Sequence, residues 1–426
     1  MINLRYQYKL EPTKAQSQTM TDWLETSRKV WNYALGERKD WYKSRSCRVD
    51  ACSIKSEHII PADAQRPTFA NQCKALTQAK NTNPDLKAVQ SAVLQQVLKR
   101  LEQAFTSMWE RGFGFPRFKK AGQFRSLTFP QLADHPVQGN RIKIPKIGLV
   151  KARISRPIPD GFVIKQAQVV RKASGWYVML NLQCNVDVPS PTVKGNAIGL
   201  DVGLQSLVAT SDKELIPAPK FFVRLQRKLR LLQKRASRKQ RGSSNWKKAH
   251  HRVAKLHEHI ANCRQDFFYK LAHRLCDRAG MIFVEDLNFI TWAKGLFSKH
   301  MLDASFGKFF RILEWVCWKR DVLFLKVDAS HTSQICPECG AHTGKKKLSQ
   351  RVHNCPDCGY TNSRDVVSAE VIRDRGLSAV GMPVDLKQKA CGGGLAGAIS
   401  LAKSLKQESC ANAKALAQRE RFNNVQ

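Results

Sequence analysis

Asp201, Glu285 and Asp365 stand in three settings that each suit a hard cation, and four cysteines precede the last of them. Asp201 closes the run Asn196-Ala-Ile-Gly-Leu-Asp201-Val-Gly203, Glu285 closes Met281-Ile-Phe-Val-Glu285, and Asp365 ends Asn362-Ser-Arg-Asp365. An apolar run stopped by one carboxylate reads as a buried central strand whose end faces the rim of a sheet. Two such strands and a third acid can gather two Mg²⁺ ions. Two hard cations roughly 3.5 to 4 Å apart, flanked by carboxylate oxygens, activate a water and stabilise the leaving oxygen of a phosphodiester. The expected chemistry is metal-dependent phosphodiester cleavage, with Asp201, Glu285 and Asp365 as catalytic residues and Mg²⁺ ligands. Asp286 follows Glu285 directly. Alternation along a strand turns the two side chains to opposite faces, so Glu285 is taken for the cluster and Asp286 for solvent or a supporting position.

Cys336-Pro-Glu-Cys339 and Cys355-Pro-Asp-Cys358 form a second constellation. Thiolates two residues apart on a tight knuckle converge on one ion, and two knuckles complete the tetrahedron that structural Zn²⁺ prefers. Each knuckle carries Pro after its first Cys (Pro337, Pro356) and Gly after its second (Gly340, Gly359), where the turn needs a positive φ. Four thiolates leave no open coordination position, so this Zn²⁺ is expected to be structural.

Several elements must position these residues. Tyr6–Leu10 alternates like a strand, and Thr13 and Gln16 are spaced as a capping box at the start of a helix whose stripe is Met20, Trp23, Leu24, Val30, Trp31, Ala34 and Leu35. A second helix is predicted from about Leu86 to Glu110 on Val93, Val97, Leu101, Phe105 and Met108, with loops and short helices over 44–84. Strands are predicted at 141–144, 148–154, 162–170 and 176–184, forming an antiparallel sheet or small barrel, with Pro189-Ser-Pro191 as a linker. From 194 onward the order becomes mixed α/β: a strand to Asp201, short strands near Leu207 and Leu215, a long helical stretch, a strand at 281–285, a helix at 304–320 and a strand at 322–328. With a final helix carrying Asp365, that order is compatible with a ribonuclease-H-like sheet.

The 426 residues carry a formal charge of +38, from 72 basic against 34 acidic side chains, so a polyanion and above all nucleic acid is the expected partner. Arg224, Arg227, Lys228, Arg235, Arg238 and Lys239 open a long run with few acids and are candidate contacts to nucleic-acid backbone, together with Arg117 and Lys119. No run of about 18 apolar residues occurs, and Met1-Ile-Asn-Leu-Arg-Tyr lacks the apolar core of a secretory signal. A cytoplasmic protein with no membrane partner is expected, and the nine cysteines outside the two knuckles are read as free thiols among the 13 in the chain.

Gly199-Leu-Asp201-Val-Gly203, Val284-Glu285-Asp286-Leu-Asn288, Thr332-Ser-Gln-x-Cys336-x-x-Cys339-Gly340 and Cys355-x-x-Cys358-Gly359 with Arg364-Asp365 resemble the RuvC and zinc-ribbon blocks of the TnpB family. That family comprises transposon-encoded RNA-guided DNA endonucleases related to compact type V CRISPR effectors. The resemblance extends through Tyr8-Lys-Leu10-x-Pro12-x-x-x-Gln16, Trp31-Asn32, Phe115-Pro-Arg-Phe-Lys119 and Pro145-Lys-Ile-Gly148, and so covers nearly everything to about residue 376. In the last block Ser363 stands in place of an acid, and Val367 and Val371 stand where Asn is common.

The resemblance implies a multidomain α+β fold: a β-barrel wedge domain with an inserted helical recognition domain, then a RuvC, ribonuclease-H-like α/β nuclease domain with an inserted zinc ribbon. Its segments would be 1–10 (first wedge strand), 11–121 (recognition helices), 122–190 (wedge barrel), 191–330 (nuclease domain), 331–361 (zinc ribbon contacting target nucleic acid), 362–376 (last nuclease helix) and 377–426 (a variable basic tail). The implied protein is a monomer of a transposable element, acting on the prokaryotic nucleoid with a guide RNA and double-stranded target DNA, two Mg²⁺ and one Zn²⁺. Base pairing would read the target, and the protein its shape and a flanking motif. A guide-RNA-directed DNA-binding protein without cleavage is disfavoured by the presence of all three acids. A strand-transfer transposase is disfavoured by the ribbon before the last acid and by the N-terminal blocks.

Overall fold

The computed structural model describes residues 1–46, 60, 61, 63–132, 135–187, 190–219, 221–289, 301, 303–347 and 349–384. The chain divides at residue 188 into two compact units. In the first, β1 (Ile2–Glu11) leads into α1 (Lys14–Ser46), α2 (Phe69–Thr82), α3 (Pro84–Ala88) and α4 (Ser91–Arg111), after which the chain returns to strands. These are β2 (Ser126–Phe129), β3 (Val137–Gln138), β4 (Arg141–Ile144), β5 (Gly148–Arg153), β6 (Val163–Lys172) and β7 (Gly175–Cys184). The sheet order is β2-β6-β7-β1-β5-β4-β3, so the first strand of the chain lies between β7 and β5, antiparallel to both. The helices are thus an insertion between two strands of one sheet. Its alternating inner residues, among them Leu10, Leu127, Ile142, Val150, Val169 and Leu180, share one core with Trp23, Leu35, Leu98 and Phe105 of the helices.

The capping box at the start of α1 forms as its spacing predicts: Thr13 N–H donates to Gln16 Oε1 (3.1 Å), and Gln16 N–H to Thr13 Oγ1 (3.2 Å). Two helix expectations need correction. The predicted helix over 86–110 is interrupted at Val89 and Gln90, both extended, because Asn83 caps α3 through Leu86 N–H and the Lys80 ammonium donates to the Val89 carbonyl (3.1 Å). The segment read as loops and short helices contains α2, a 14-residue helix capped by Thr68. It packs partly buried Phe69, Cys73 and Leu76 against the core and adds polar contacts to α1. Buried Gln72 donates to the Ala34 carbonyl (3.0 Å) and accepts from Arg38 Nε (3.0 Å), and Arg38 also pairs with Glu102 (2.6 Å).

The second unit carries β8 (Ala197–Asp201), β9 (Ser206–Thr210), β10 (Leu215–Pro217), α5 (Phe221–Ser237), α6 (Ser244–Arg278), β11 (Met281–Glu285), α7 (Phe306–Lys319), β12 (Leu323–Val327), a 3₁₀ turn (Thr332–Gln334), the hairpin β13 (Val352–Asn354) and β14 (Thr361–Ser363), and α8 (Arg364–Ala379). The five-stranded sheet runs β10-β9-β8-β11-β12. β8, β9 and β10 are antiparallel, while β11 is parallel to both neighbours. Ile198, Leu200, Ile282 and Val284 face the core formed with α6 and α7, and Met281 and Phe283 face Ile372 of α8. No helix among the described residues is long and apolar enough to cross a membrane. The tail beyond 384, including Cys391-Gly-Gly-Gly394, lies outside the described residues.

Candidate functional site

Residue parity decides where the first two acids go. In β8 the even residues Ile198 and Leu200 point to α6 and α7, so Asp201 shares the opposite face with Gly199. In β11 Glu285 shares that face with Met281 and Phe283, where α8 packs. The parallel register pairs Leu200 with Val284, so both carboxylates sit at the same end of neighbouring strands. The third acid arrives on α8, which can lie on this face because Gly199 has no side chain: a Cβ there would stand 2.0 Å from the Ala369 carbonyl oxygen and 2.5 Å from Arg373 N. Gly376 permits the same closeness over the Phe283 ring, 2.1 Å from where its Cβ would be. Asp365 lies in the first turn of α8, where a helix N-terminus favours an anion. Val367 and Val371 are buried.

Asp201 feels the charges of both other acids. Burial pushes the Asp201 carboxyl well above the usual carboxylate range, and the charges of Glu285 and then Asp365 push it further, while the Val202 N–H and Arg364 pull it down. Burial also raises Glu285, which is 8% exposed. One of its oxygens accepts a hydrogen bond from Thr332 Oγ1 at 2.6 Å. Asp365 is 21% exposed, with Arg364 Nε 3.8 Å from its Oδ1. Asp286 points away as alternation requires; it is exposed and pairs with Lys326 at 3.6 Å. Only the four cysteines, among the described residues, form a set of three or more His, Cys, Asp or Glu whose ligand atoms all lie within 4.8 Å of one another. The carboxylates are spread more widely.

The cysteines form two matching turns. Gly340 N–H donates to the Cys336 carbonyl (2.9 Å) and Gly359 N–H to the Cys355 carbonyl (3.0 Å), with φ of +75° and +71° at the two glycines. Cys336 and Cys358 sulfurs are 3.6 Å apart, as are those of Cys339 and Cys355. A tetrahedron with Zn–S bonds of about 2.3 Å has edges of about 3.8 Å, so the four sulfurs fit one Zn²⁺. The other described cysteines are free thiols, as expected; Cys276 and Cys317 meet in the core at 3.5 Å.

The basic run forms a hairpin in which α5 and α6 pack through Leu225, Leu229, Leu232, Val253, Leu256 and Ile260. Arg224, Arg227, Lys228, Arg235, Arg238 and Lys239 are all exposed. Arg235, Arg238 and Lys239 line a cavity of about 510 Å³ with Asn245, Lys248 and Arg252 of α6. Lys248 and Arg252 belong to the same basic run of the sequence, and the turn between the helices brings them beside Arg235. In the first unit Arg117 is exposed, whereas the Lys119 ammonium lies 5.2 Å from the Trp31 ring centre. The backbone around them is pinned to α1: Trp31 Nε1 donates to the Arg117 carbonyl (3.2 Å) and Asn32 exchanges two hydrogen bonds with Lys119 (2.9 and 2.7 Å).

Known proteins share these features. Residues 181–293 match the family OrfB_IS605, described as "Probable transposase", and residues 306–372 match "Cas12f1-like, TNB domain". Residues 1–47 match "Helix-turn-helix domain", although residues 2–46 here form one strand and one continuous long helix. The protein named "Putative RNA-guided DNA endonuclease InsQ" of Escherichia coli (strain K12) is 29% identical over 386 residues, covering 86% of this chain and 90% of that one. A protein of Streptomyces pristinaespiralis, named "Putative RNA-guided DNA endonuclease", is 30% identical over 401 residues, covering 92% of each chain. The structure of a Cas12f1-sgRNA-target DNA complex shares the fold, with a TM-score of 0.50 at 15% identity, over 85% of this chain and 83% of that one. Fold and site thus define a mixed α/β protein with acids at strand ends and a four-cysteine insertion. The chain belongs to the TnpB family.

Proposed function

We propose that the chain is an RNA-guided DNA endonuclease of a transposable element, acting with a guide RNA on double-stranded target DNA. The observation that carries this reading is the meeting of Asp201 and Glu285 at the same end of neighbouring strands with Asp365 in the first turn of α8, where the charges of the other two acids raise the Asp201 carboxyl. The names of the two full-length relatives support it. In this reading the first sheet is the wedge barrel and α1 to α4 the recognition helices. The five-stranded sheet, whose order has three antiparallel strands followed by two parallel ones, is the RuvC, ribonuclease-H-like nuclease domain.

The donor set fits Mg²⁺, because three carboxylates, one of them buried against the charges of the other two, offer the hard oxygen ligands that a hard divalent ion favours. Asp201 and Asp365 would hold one ion, and Asp201 with Glu285 the other. Bound Mg²⁺ supplies Lewis-acid polarisation of the phosphate and acidification of water. Asp201 ties the two positions together, and Thr332 orients Glu285 by holding one of its oxygens. The cysteine knuckles would hold structural Zn²⁺ and place the ribbon beside the displaced strand. The α5–α6 hairpin would grip phosphate without reading sequence.

The test is cleavage of a DNA duplex matched to the RNA that co-purifies with the protein. Mg²⁺-dependent cutting is expected in the wild type, falling at least about 100-fold in Asp201→Ala, Glu285→Ala and Asp365→Ala with DNA binding retained. Target binding without cutting by the wild type would overturn the nuclease reading, and near-normal cutting by any one variant would remove that residue from the site. Changing Arg227, Lys228, Arg235 and Arg238 together to Gln should flatten the salt dependence of nucleic-acid affinity by a few log-log units, at about 0.7 to 0.9 for each phosphate no longer neutralised.

A further inference from the structure

We infer that Thr332 is the positioning residue for Glu285, and that the cysteine-bearing insertion acts on the carboxylate cluster through it. The inference rests on the reading of Glu285 as a metal ligand. Thr332 and Glu285 are 6% and 8% exposed, and the Thr332 hydroxyl donates to Glu285 Oε1 at 2.6 Å. A buried carboxylate with one oxygen held this way keeps a fixed rotamer and presents its other oxygen in one direction. The position of Thr332 is in turn set by the insertion. It opens the 3₁₀ turn Thr332–Gln334, which follows His331 at φ +58°. The Ser333 carbonyl accepts from the Lys346 ammonium at 2.6 Å, and the Gln334 carbonyl accepts from both Thr343 N–H (2.7 Å) and Thr343 Oγ1 (3.0 Å).

Lys346 is the staple. Its ammonium also donates to Thr343 Oγ1 (3.0 Å) and to Nδ1 of the fully buried His353 (2.7 Å), so one side chain joins the turn to both arms of the insertion. Ile335 bridges to His342, and Cys336, the first zinc-knuckle residue, follows immediately. Hydrogen bonds at Lys346 and Thr343, joined by the backbone of Thr332–Cys336 and His353–Cys355, therefore link the cysteine turns to Thr332 and the Glu285 carboxylate. Thr332 belongs to the Thr-Ser-Gln-x-Cys block of the sequence, and neither zinc binding nor phosphate chemistry explains its hydroxyl.

The experiment uses the full-length protein with its RNA and compares Thr332→Val, which removes the hydroxyl at equal size, with Thr332→Ser, which keeps it. Mn²⁺ affinity is read by electron paramagnetic resonance without DNA, and zinc content and thermal unfolding are read alongside. Thr332→Val should weaken Mn²⁺ binding and raise the Mg²⁺ needed for half-maximal cleavage by roughly 10- to 100-fold, with zinc at one per chain. Thr332→Ser should restore both to near the wild type. Lys346→Met should move them in the same direction by a smaller factor, zinc still bound. Wild-type Mn²⁺ affinity in Thr332→Val, or a Thr332→Ser as weak as Thr332→Val, overturns the inference. Glu285→Gln separates its failure from that of the underlying reading. If that variant binds Mn²⁺ and cuts normally, both fall; if it fails while Thr332→Val is normal, only the positioning role falls.

Discussion

Cys336, Cys339, Cys355 and Cys358 meet across two glycine-closed turns that are neighbours in the chain, whereas Asp201, Glu285 and Asp365 meet only after two parallel strands and the last described helix have packed. The sulfurs converge by local geometry, at 3.6 Å, and are ready for an ion. The carboxylates converge by tertiary structure, and the charges of Glu285 and Asp365 act against ionisation of the buried Asp201. One centre should therefore stabilise its surroundings when it is loaded. The other is a point of stored repulsion inside a fold stabilised elsewhere, by the apolar cores on both faces of the sheet.

The largest expected effect falls on the local centre. Metal analysis of fresh protein should find about one Zn²⁺ per chain, and Cys336→Ser or Cys358→Ser should release it and unfold the insertion, because binding of this kind is coupled to folding at an apparent ~10 kcal/mol or more. Zinc-free protein with an intact, protease-resistant insertion would erase the contrast between the two centres. Next comes Gly199→Ala. Its new methyl would meet backbone atoms of Ala369 and Arg373, which cannot swing aside as a side chain can. A loss of ~3 kcal/mol or more is expected in denaturant unfolding, at the upper end for overpacking. Gly376→Ala, facing the Phe283 ring, should lose less.

Asp201→Asn tests the stored repulsion directly and carries an opposite sign for stability and for activity. A carboxyl whose folded-state pKa lies above its unfolded value, near 3.9 for Asp, favours the folded state only while protonated. Its contribution is present at low pH and is lost as pH rises through that value toward the raised one. At neutral pH, without divalent ions, Asp201→Asn should therefore unfold at a higher temperature than the wild type, by at least about 2 °C, while losing cleavage. A lower melting temperature in metal-free buffer would mean that the wild-type charge is already well compensated. The smallest effect is expected at Asp286→Asn. The side chain is exposed and its partner Lys326 is 3.6 Å away, so cleavage should stay within about twofold of the wild type. A large loss there would contradict the parity that separates it from Glu285.

The same contrast explains what can be read without the structure. The knuckles are legible because Cys-Pro-x-Cys-Gly holds its whole geometry within five residues. β4 begins and ends where alternation places it, and β5, β6 and β7 depart from it by a residue or two at their ends, because one face of each strand is buried. Assigning Asp201 and Glu285 to strand ends needs only an apolar run and a carboxylate. Closeness in space is what the residues do not spell out: α8 approaches the sheet over Gly199 and Gly376, and a missing side chain leaves no pattern in a hydrophobic profile. α2 is harder to read because its short apolar set, Phe69, Cys73 and Leu76, is only partly buried and part of its contact runs through Gln72 and Arg38. Lys248 and Arg252 line the same cavity as Arg235 but stand on another helix.

The placement of Asp365 on the last described helix has a consequence for how the protein is made. Synthesis proceeds from the N-terminus, so the basic hairpin, the sheet and both cysteine turns leave the ribosome before the third acid does. A chain that stops before Arg364 keeps the exposed basic hairpin yet lacks one member of the acidic cluster, and it leaves Phe283 and the groove over Gly199 uncovered. On the proposed reading, premature termination or proteolytic loss of α8 should yield a fragment that holds nucleic acid without cutting it, because the third acid arrives only with the last described helix.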